Sequence, residues 1–371
     1  MTSKERMQLA MKNQIPDRVP VMCQLSWGHI LLNTGIRPSD FLFNGEFFAQ
    51  GMLMMREMYQ FDGVLVNNQF VNKDENFRKS VKIELQEEGE MVYLPNGDRY
   101  FCPFNDDPRL YPINKVELPE IHEVDLAEIE SGLELVIPSY KVEAQKILVE
   151  KSQGEFSVHG ETSSPFDYLI VLMGIENALM SLLIEPEKVH KLLEMYTRQQ
   201  LQVAKKQVDV GVDAMKISSP FAGSGFISRE SYREFVLPYE KKFTDSLHDY
   251  APEIPIYTHT CGYIDDRLEL MAASGINGIE CLDPAPLGDV DLMDAKRRIG
   301  GSMFIKGNMD SVNELLAATP ESIEEYVKKM LKEGASGGGY ILSSACSVAP
   351  DVKPEILKML VPLAEKYGKY N

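Results

Sequence analysis

The run Ile256-Tyr257-Thr258-His259-Thr260-Cys261 sets an imidazole and a thiol two residues apart. On a strand, side chains at i and i+2 point to the same side, so this pair can grip one metal ion. Glu280 ends a second apolar run that begins at Ile276, and Cys346 ends a third that begins at Tyr340. In a parallel barrel such strand ends gather at one rim, where the connecting loops build the active site. One His, two Cys and one Glu, far apart in the chain, then converge. Two thiolates and an imidazole favour zinc over magnesium or calcium, which prefer oxygen ligands. A carboxylate binds less firmly than a thiolate and yields its place to substrate, so His259, Cys261, Glu280 and Cys346 predict an open, catalytic metal site. Asp283 is the alternative fourth ligand. The bland reading makes His259 and Cys261 core residues; Cys346 at another strand end favours the metal.

The other candidates are less specific. Cys281 follows Glu280, so strict alternation turns it the other way, against a helix. Cys102 reads as a core thiol, and Cys23 lies at the end of the first strand. His159, in Val-His-Gly-Glu at the end of the third strand, is a candidate catalytic group alongside Glu280, acting by hydrogen bonding to substrate. His190 and His248 fall in helical surface patterns. Asn67, Ser219 and Asn308 are candidate substrate-binding residues because they fall at strand ends.

Eight short apolar or β-branched runs supply the elements that must position these groups: Arg18 to Cys23, Phe61 to Asn67, Phe156 to Glu161, Val212 to Pro220, Pro255 to Gly262, Gly275 to Asp283, Ser302 to Met309 and Gly339 to Cys346. They are continuous rather than alternating, which suits strands covered on both faces. Helical patterns lie between them, such as Ile184 to Val210 and Pro320 to Glu333. The latter has Thr319 as N-cap and Pro320 at its first position. Eight strands with intervening helices predict an α/β fold of the (β/α)₈ TIM-barrel type, with a doubly wound open sheet as the competitor. Residues 75–115 break the rhythm: Val81, Ile83 and Leu85 alternate, Glu87-Glu88-Gly89 turns, and Pro95-Asn96-Gly97-Asp98 leads into Arg99 to Phe104. This predicts a small antiparallel β insertion on a single domain spanning 1–371.

Composition narrows the function classes. A net charge of −18 argues against a general nucleic-acid binder and against docking on an anionic membrane. The longest apolar run, Tyr168 to Gly174, is followed at once by Glu176, and MTSKERMQLAMKN lacks the apolar core of a secretory signal. Five cysteines are too few, and odd in number, for a disulfide framework, so a reducing cytoplasm is expected.

Several segments look familiar together: Pro16-Asp17-Arg18-Val19-Pro20, Ile227-Ser228-Arg229-Glu230 with Phe235 and Pro238-Tyr239, His259-Thr260-Cys261-Gly262, Gly307-Asn308-Met309-Asp310 and Thr319-Pro320-Glu321. They resemble the uroporphyrinogen decarboxylase-like superfamily over nearly the whole chain. The resemblance implies a (β/α)₈ barrel and one of two activities, porphyrinogen decarboxylation or zinc- and corrinoid-dependent methyl transfer. The decarboxylase branch carries an arginine-containing loop after Pro-Asp-Arg, whereas here Met22 to His29 has no arginine. The aspartate that such enzymes direct at pyrrole N–H groups also has no match, since Asn67 and Asn68 follow the second strand. A ring bearing several carboxylates needs cationic partners. The His-x-Cys…Cys arrangement is similar to the methyltransferase branch, and cobalamin-independent methionine synthases share it with a glutamate between the cysteines. The resemblance thus implies methyl transfer between a small methylated substrate or thiol and a corrinoid. No histidine here sits in an Asp-x-His-x-x-Gly loop, so the corrinoid (cobalamin) would arrive on a separate protein. Homodimers are common in that superfamily. The alternatives are a uroporphyrinogen decarboxylase and a catalytically silent barrel with structural zinc.

Overall fold

Strand residues that are apolar on both faces have to be covered on both, and the chain does this by alternating strands with helices. The structure is a computed structural model that describes residues 1–67, 72–114 and 117–370. In chain order the strands are β1 (Gly63–Val66), β2 (Lys82–Leu85), β3 (Gly89–Tyr93), β4 (Arg99–Pro103), β5 (Arg109–Tyr111), β6 (Ser157–Ser163), β7 (Ala214–Ser218), β8 (Ile256–Thr260), β9 (Gly278–Cys281), β10 (Phe304–Met309) and β11 (Tyr340–Ser344). Seven of them form one curled parallel sheet in the order β1-β6-β7-β8-β9-β10-β11. Six of them fall inside a run expected to be a strand, and β6 begins in the run Phe156 to Glu161 and continues two residues past it. β2 to β5 form a separate antiparallel sheet, one strand larger than the expected insertion.

The first expected strand, Arg18 to Cys23, forms no ladder. Pro20 interrupts it, and proline has no N–H to give a sheet. It still bridges neighbours: Leu342 N–H donates to Pro20 O (2.9 Å), Met22 N–H to Leu342 O (3.0 Å) and Asp62 N–H to Val21 O (2.8 Å). The segment therefore touches both the last strand of the sheet and the chain entering the first.

Alternate residues of the parallel strands face the inside of the curl. At the N-terminal ends of the strands, Leu65, Ala214, Tyr257, Phe304 and Ile341 make an apolar floor with Met22. The helix Ser3–Met11 plugs this floor with Met7, Ala10 and Met11. Beside it Asp62, fully buried, accepts from Arg6 (2.6 Å), Arg18 (2.8 Å) and the Val21 N–H (2.8 Å), while Arg6 also holds Asp17. The next inward residues toward the C-terminal rim are polar: His159, then Glu161, Lys216, Glu280 and Lys306, then His259.

One helix among the described residues, Pro165–Ile184, is long and apolar enough to cross a membrane, although its continuous apolar run is short. It carries Asp167 and a non-helical Gly174 (φ 74°, ψ 167°), and one side packs on the helix Pro186–Asp209.

Candidate metal centre

β8 ends at Thr260, so His259 and Cys261 leave the strand on one side, as the i, i+2 spacing predicts. Gly262 then turns the chain at φ 75°, a region glycine enters without strain, and its N–H donates to Asp283 Oδ2 at 2.7 Å. Cys346 comes two residues past the end of β11. The structure brings these three together: His259 Nε2 lies 3.3 Å from Cys261 Sγ and 3.9 Å from Cys346 Sγ, and the two sulfurs are 3.7 Å apart. Bonds of about 2.3 Å to sulfur and about 2.0 Å to nitrogen at tetrahedral angles put two sulfurs about 3.8 Å apart, and a nitrogen about 3.5 Å from a sulfur. The spacing and the donor types fit a zinc ion. Cys261 and Cys346 are partly exposed, whereas His259 is buried, so the group opens on its sulfur side.

A fourth donor belongs to the group. The ligand atoms of His259, Cys261, Cys281 and Cys346 all lie within 4.8 Å of one another. This corrects the expectation that Cys281 packs away from the site. Alternation holds only while the strand stays extended, and Cys281 and Leu282 take φ values of 83° and 54°. Such angles are costly for residues with a Cβ, by about 1–3 kcal/mol each, and here they turn the Cys281 thiol inward after Glu280.

Glu280 faces inward as expected but lies behind the imidazole. Its Oε2 is 3.1 Å from His259 Nδ1, and its Oε1 meets Lys306. Lys216 approaches it at 3.7 Å and reaches Glu161 at 2.6 Å and Gln24 Oε1 at 2.7 Å; Gln24 in turn donates to Ser347 Oγ at 2.6 Å. Both lysines and Glu280 are buried. Burial pushes the Glu280 carboxyl up, but Lys306 and Lys216 outweigh it and hold it below the usual carboxylate range. Glu280 is therefore a charged acceptor, which fixes the His259 proton on Nδ1 and leaves Nε2 to face the sulfurs. Without a metal, Cys346 is held as a thiolate by the thiols of Cys261 and Cys281 and by His259, while burial raises Cys281.

The remaining candidates do not join the group. The strand carrying His159 runs on to Ser163, so His159 lies within it and not at its end. Its Nδ1 is 3.0 Å from Tyr257 Oη and its Nε2 is 3.0 Å from Ser157 Oγ. Burial, aided by Lys306, pushes its pKa down to about 3, so the ring is neutral and its hydrogen bonds are spent. Ser219 gives its N–H to the His259 carbonyl, and its buried hydroxyl has no hydrogen-bond partner among the described residues. Asn67 accepts from Trp27 Nε1 (3.0 Å), and Asn308 donates to the Leu282 carbonyl (2.9 Å). Asn68 lies outside the described residues. Asp283 stays with Gly262 N–H, and burial raises its carboxyl. Sequence reasoning missed Cys281, Glu161, Lys216 and Lys306. A lysine inside each of the apolar runs Ala214 to Ile217 and Phe304 to Lys306 was the available signal, because such a charge has to meet an interior partner.

Residues 111–367 match the model of the uroporphyrinogen decarboxylase (URO-D) family. The chain belongs to that family. Within it, the chain is 30% identical over 239 residues to a uroporphyrinogen decarboxylase from Ruthia magnifica subsp. Calyptogena magnifica, covering 62% of this chain and 66% of that one. Over 99% of its own length and 98% of the relative's, it is 26% identical to the methylcobamide:CoM methyltransferase MtbA of Methanosarcina acetivorans. That full-length likeness puts this URO-D chain with the methyltransferase branch. Its fold is shared with a solved methyltransferase from Methanosarcina mazei (TM-score 0.74, 20% identity, 99% of both chains). A B12-independent methionine synthase from Shewanella sp. W3-18-1 has a looser likeness (TM-score 0.53, 12% identity, 94% of this chain and 97% of that one).

Proposed function

We propose that this URO-D family chain is a zinc-dependent methyltransferase that moves a methyl group between a small methylated molecule or thiol and a corrinoid carried by a separate protein. The observation that carries the reading is the tetrahedral spacing of His259, Cys261 and Cys346 in a chain similar end to end to a methylcobamide:CoM methyltransferase. Zinc bound there would supply Lewis acidity, holding a substrate thiol as thiolate or polarising a methyl-ether oxygen. The chain's own residues do the rest. Glu280 orients His259, Lys306 and Lys216 keep Glu280 charged, and the Tyr257–His159–Ser157 layer keeps water from below. Gln24 and Ser347, near the open sulfurs, are placed to meet substrate, with Asn67 and Asn308 as further pocket candidates.

We read the sheet as a closed (β/α)₈ barrel forming one domain with the antiparallel insertion. The bonds of residues 20–22 to Leu342 and Asp62 support closure. Five free thiols suit a reducing cytoplasm, and the acidic chain suits a partner with a locally positive docking surface.

The test is metal analysis of purified protein followed by incubation with free methylcob(III)alamin and a thiol. One zinc per chain and zinc-dependent demethylation, read from the corrinoid absorbance, support the reading. Absence of stoichiometric zinc overturns it, and conversion of uroporphyrinogen to coproporphyrinogen would transfer the chain to the decarboxylases, which its 30% relative keeps in view. Retained folding with lost transfer in Cys261→Ser separates catalysis from a structural zinc.

A further inference from the structure

The protein's fourth bond to the metal is open to two neighbours in sequence, Glu280 and Cys281. Glu280 sits on the wrong side of the imidazole. It meets His259 at Nδ1, while the sulfurs meet the ring at Nε2, and these two nitrogens point to opposite sides. Both of its oxygens are also engaged, one by His259 and one by Lys306. To reach an ion among the sulfurs it would have to abandon both partners.

Cys281 has the opposite arrangement. Its sulfur is already in the group with His259, Cys261 and Cys346, and the residue is fully buried at the closed side of the cluster. The backbone spends two left-handed conformations in a row, at Cys281 and Leu282, to bring it there. The neighbouring strand makes room for the turned peptide: a Cβ at Gly307 would stand 2.8 Å from the Cys281 carbonyl oxygen. Neither device would be needed if the thiol were merely packed against a helix, as an extended strand would leave it.

We infer that Cys281 supplies the fourth protein ligand, so that the resting centre is one imidazole and three thiolates, with Glu280 as the outer partner that positions His259. This rests on the zinc reading above and goes beyond it. With four protein ligands the centre is closed at rest, and a substrate thiol or ether oxygen reaches the ion only by displacing a sulfur. Cys261 and Cys346 flank the opening, and Cys281 holds the base.

Zinc K-edge X-ray absorption on the zinc-loaded full chain reads the ligand set directly. Three sulfurs and one nitrogen are expected. In Cys281→Ser the sulfur count falls to two and zinc affinity, by competition with a chromophoric chelator, drops at least about tenfold. In Glu280→Gln the count stays at three. Two sulfurs with an oxygen in the unsubstituted protein, with that oxygen lost in Glu280→Gln, would overturn the assignment while leaving the methyltransferase reading intact. A protein that binds no zinc at all would remove both. If Cys281→Ser does not fold, the count in the unsubstituted chain decides.

Discussion

The two ends of the curled sheet both bury charged or ionisable groups, and they use them in opposite ways. At the floor, Asp62 accepts from Arg6, Arg18 and a backbone N–H, so each charge has its partner and nothing is left to offer a ligand. At the rim, three sulfurs and a ring nitrogen crowd together, and the nitrogen's fixed partner, Glu280, is on its far side. A saturated network specifies structure, whereas a crowd of like donors costs stability until something binds it. The lysine layer between the ends belongs to both, since Lys306 and Lys216 neutralise Glu280 and thereby aim His259.

Breaking the floor should have the largest effect on folding. Asp62→Ala strands Arg6 and Arg18 in the interior and should cost about 3–5 kcal/mol, read from denaturant unfolding of the metal-free protein. Zinc bound per folded molecule should not change. Breaking the rim should do the reverse. Cys261→Ser should lower methyl transfer from methylcob(III)alamin by more than about 100-fold while moving the metal-free unfolding midpoint little. If the midpoint collapses as in Asp62→Ala, the contrast between the two ends is wrong.

Intermediate effects should come from the middle layer. Lys306→Met removes a charge that keeps Glu280 ionised and should weaken zinc binding by about 10–100-fold, measured by chelator competition. The smallest effect is a pH slope. His159 stays neutral in the fold down to about 3, while in the unfolded chain it takes a proton near 6.5. Within that window the unfolded state binds more protons, so this contribution to stability is full above about 6.5 and shrinks as pH falls, by at most about 1.4 kcal/mol per pH unit. His159→Gln, which keeps hydrogen-bonding capacity without titrating, should flatten the acid limb relative to the unsubstituted protein. An unchanged slope would mean that the ring can charge in place.

Legibility in the sequence followed the same division. Continuous apolar runs marked all seven strands of the parallel sheet, because burial on both faces leaves that pattern directly. Pro20 explains why the first run, Arg18 to Cys23, makes bridges and no ladder. β5 went unread because Arg109, Leu110 and Tyr111 are exposed, and an exposed edge strand needs no apolar signature. His259, Cys261 and Cys346 were legible as chemistry at strand ends. Cys281 was not, since alternation is a rule about extended backbone and φ at residue 281 breaks it. Lys216 and Lys306 read as ordinary charges until their strands are aligned with Glu161 and Glu280.

The plug formed by Ser3–Met11 has a kinetic consequence. With Met7, Ala10 and Met11 filling the floor, the described residues leave the cluster open at the opposite end, where Cys261 and Cys346 are partly exposed. In the proposed reaction both reactants use that opening, so the small molecule has to enter before a corrinoid protein covers it. Methyl transfer should then show ordered addition, with excess corrinoid protein inhibiting competitively against the small molecule.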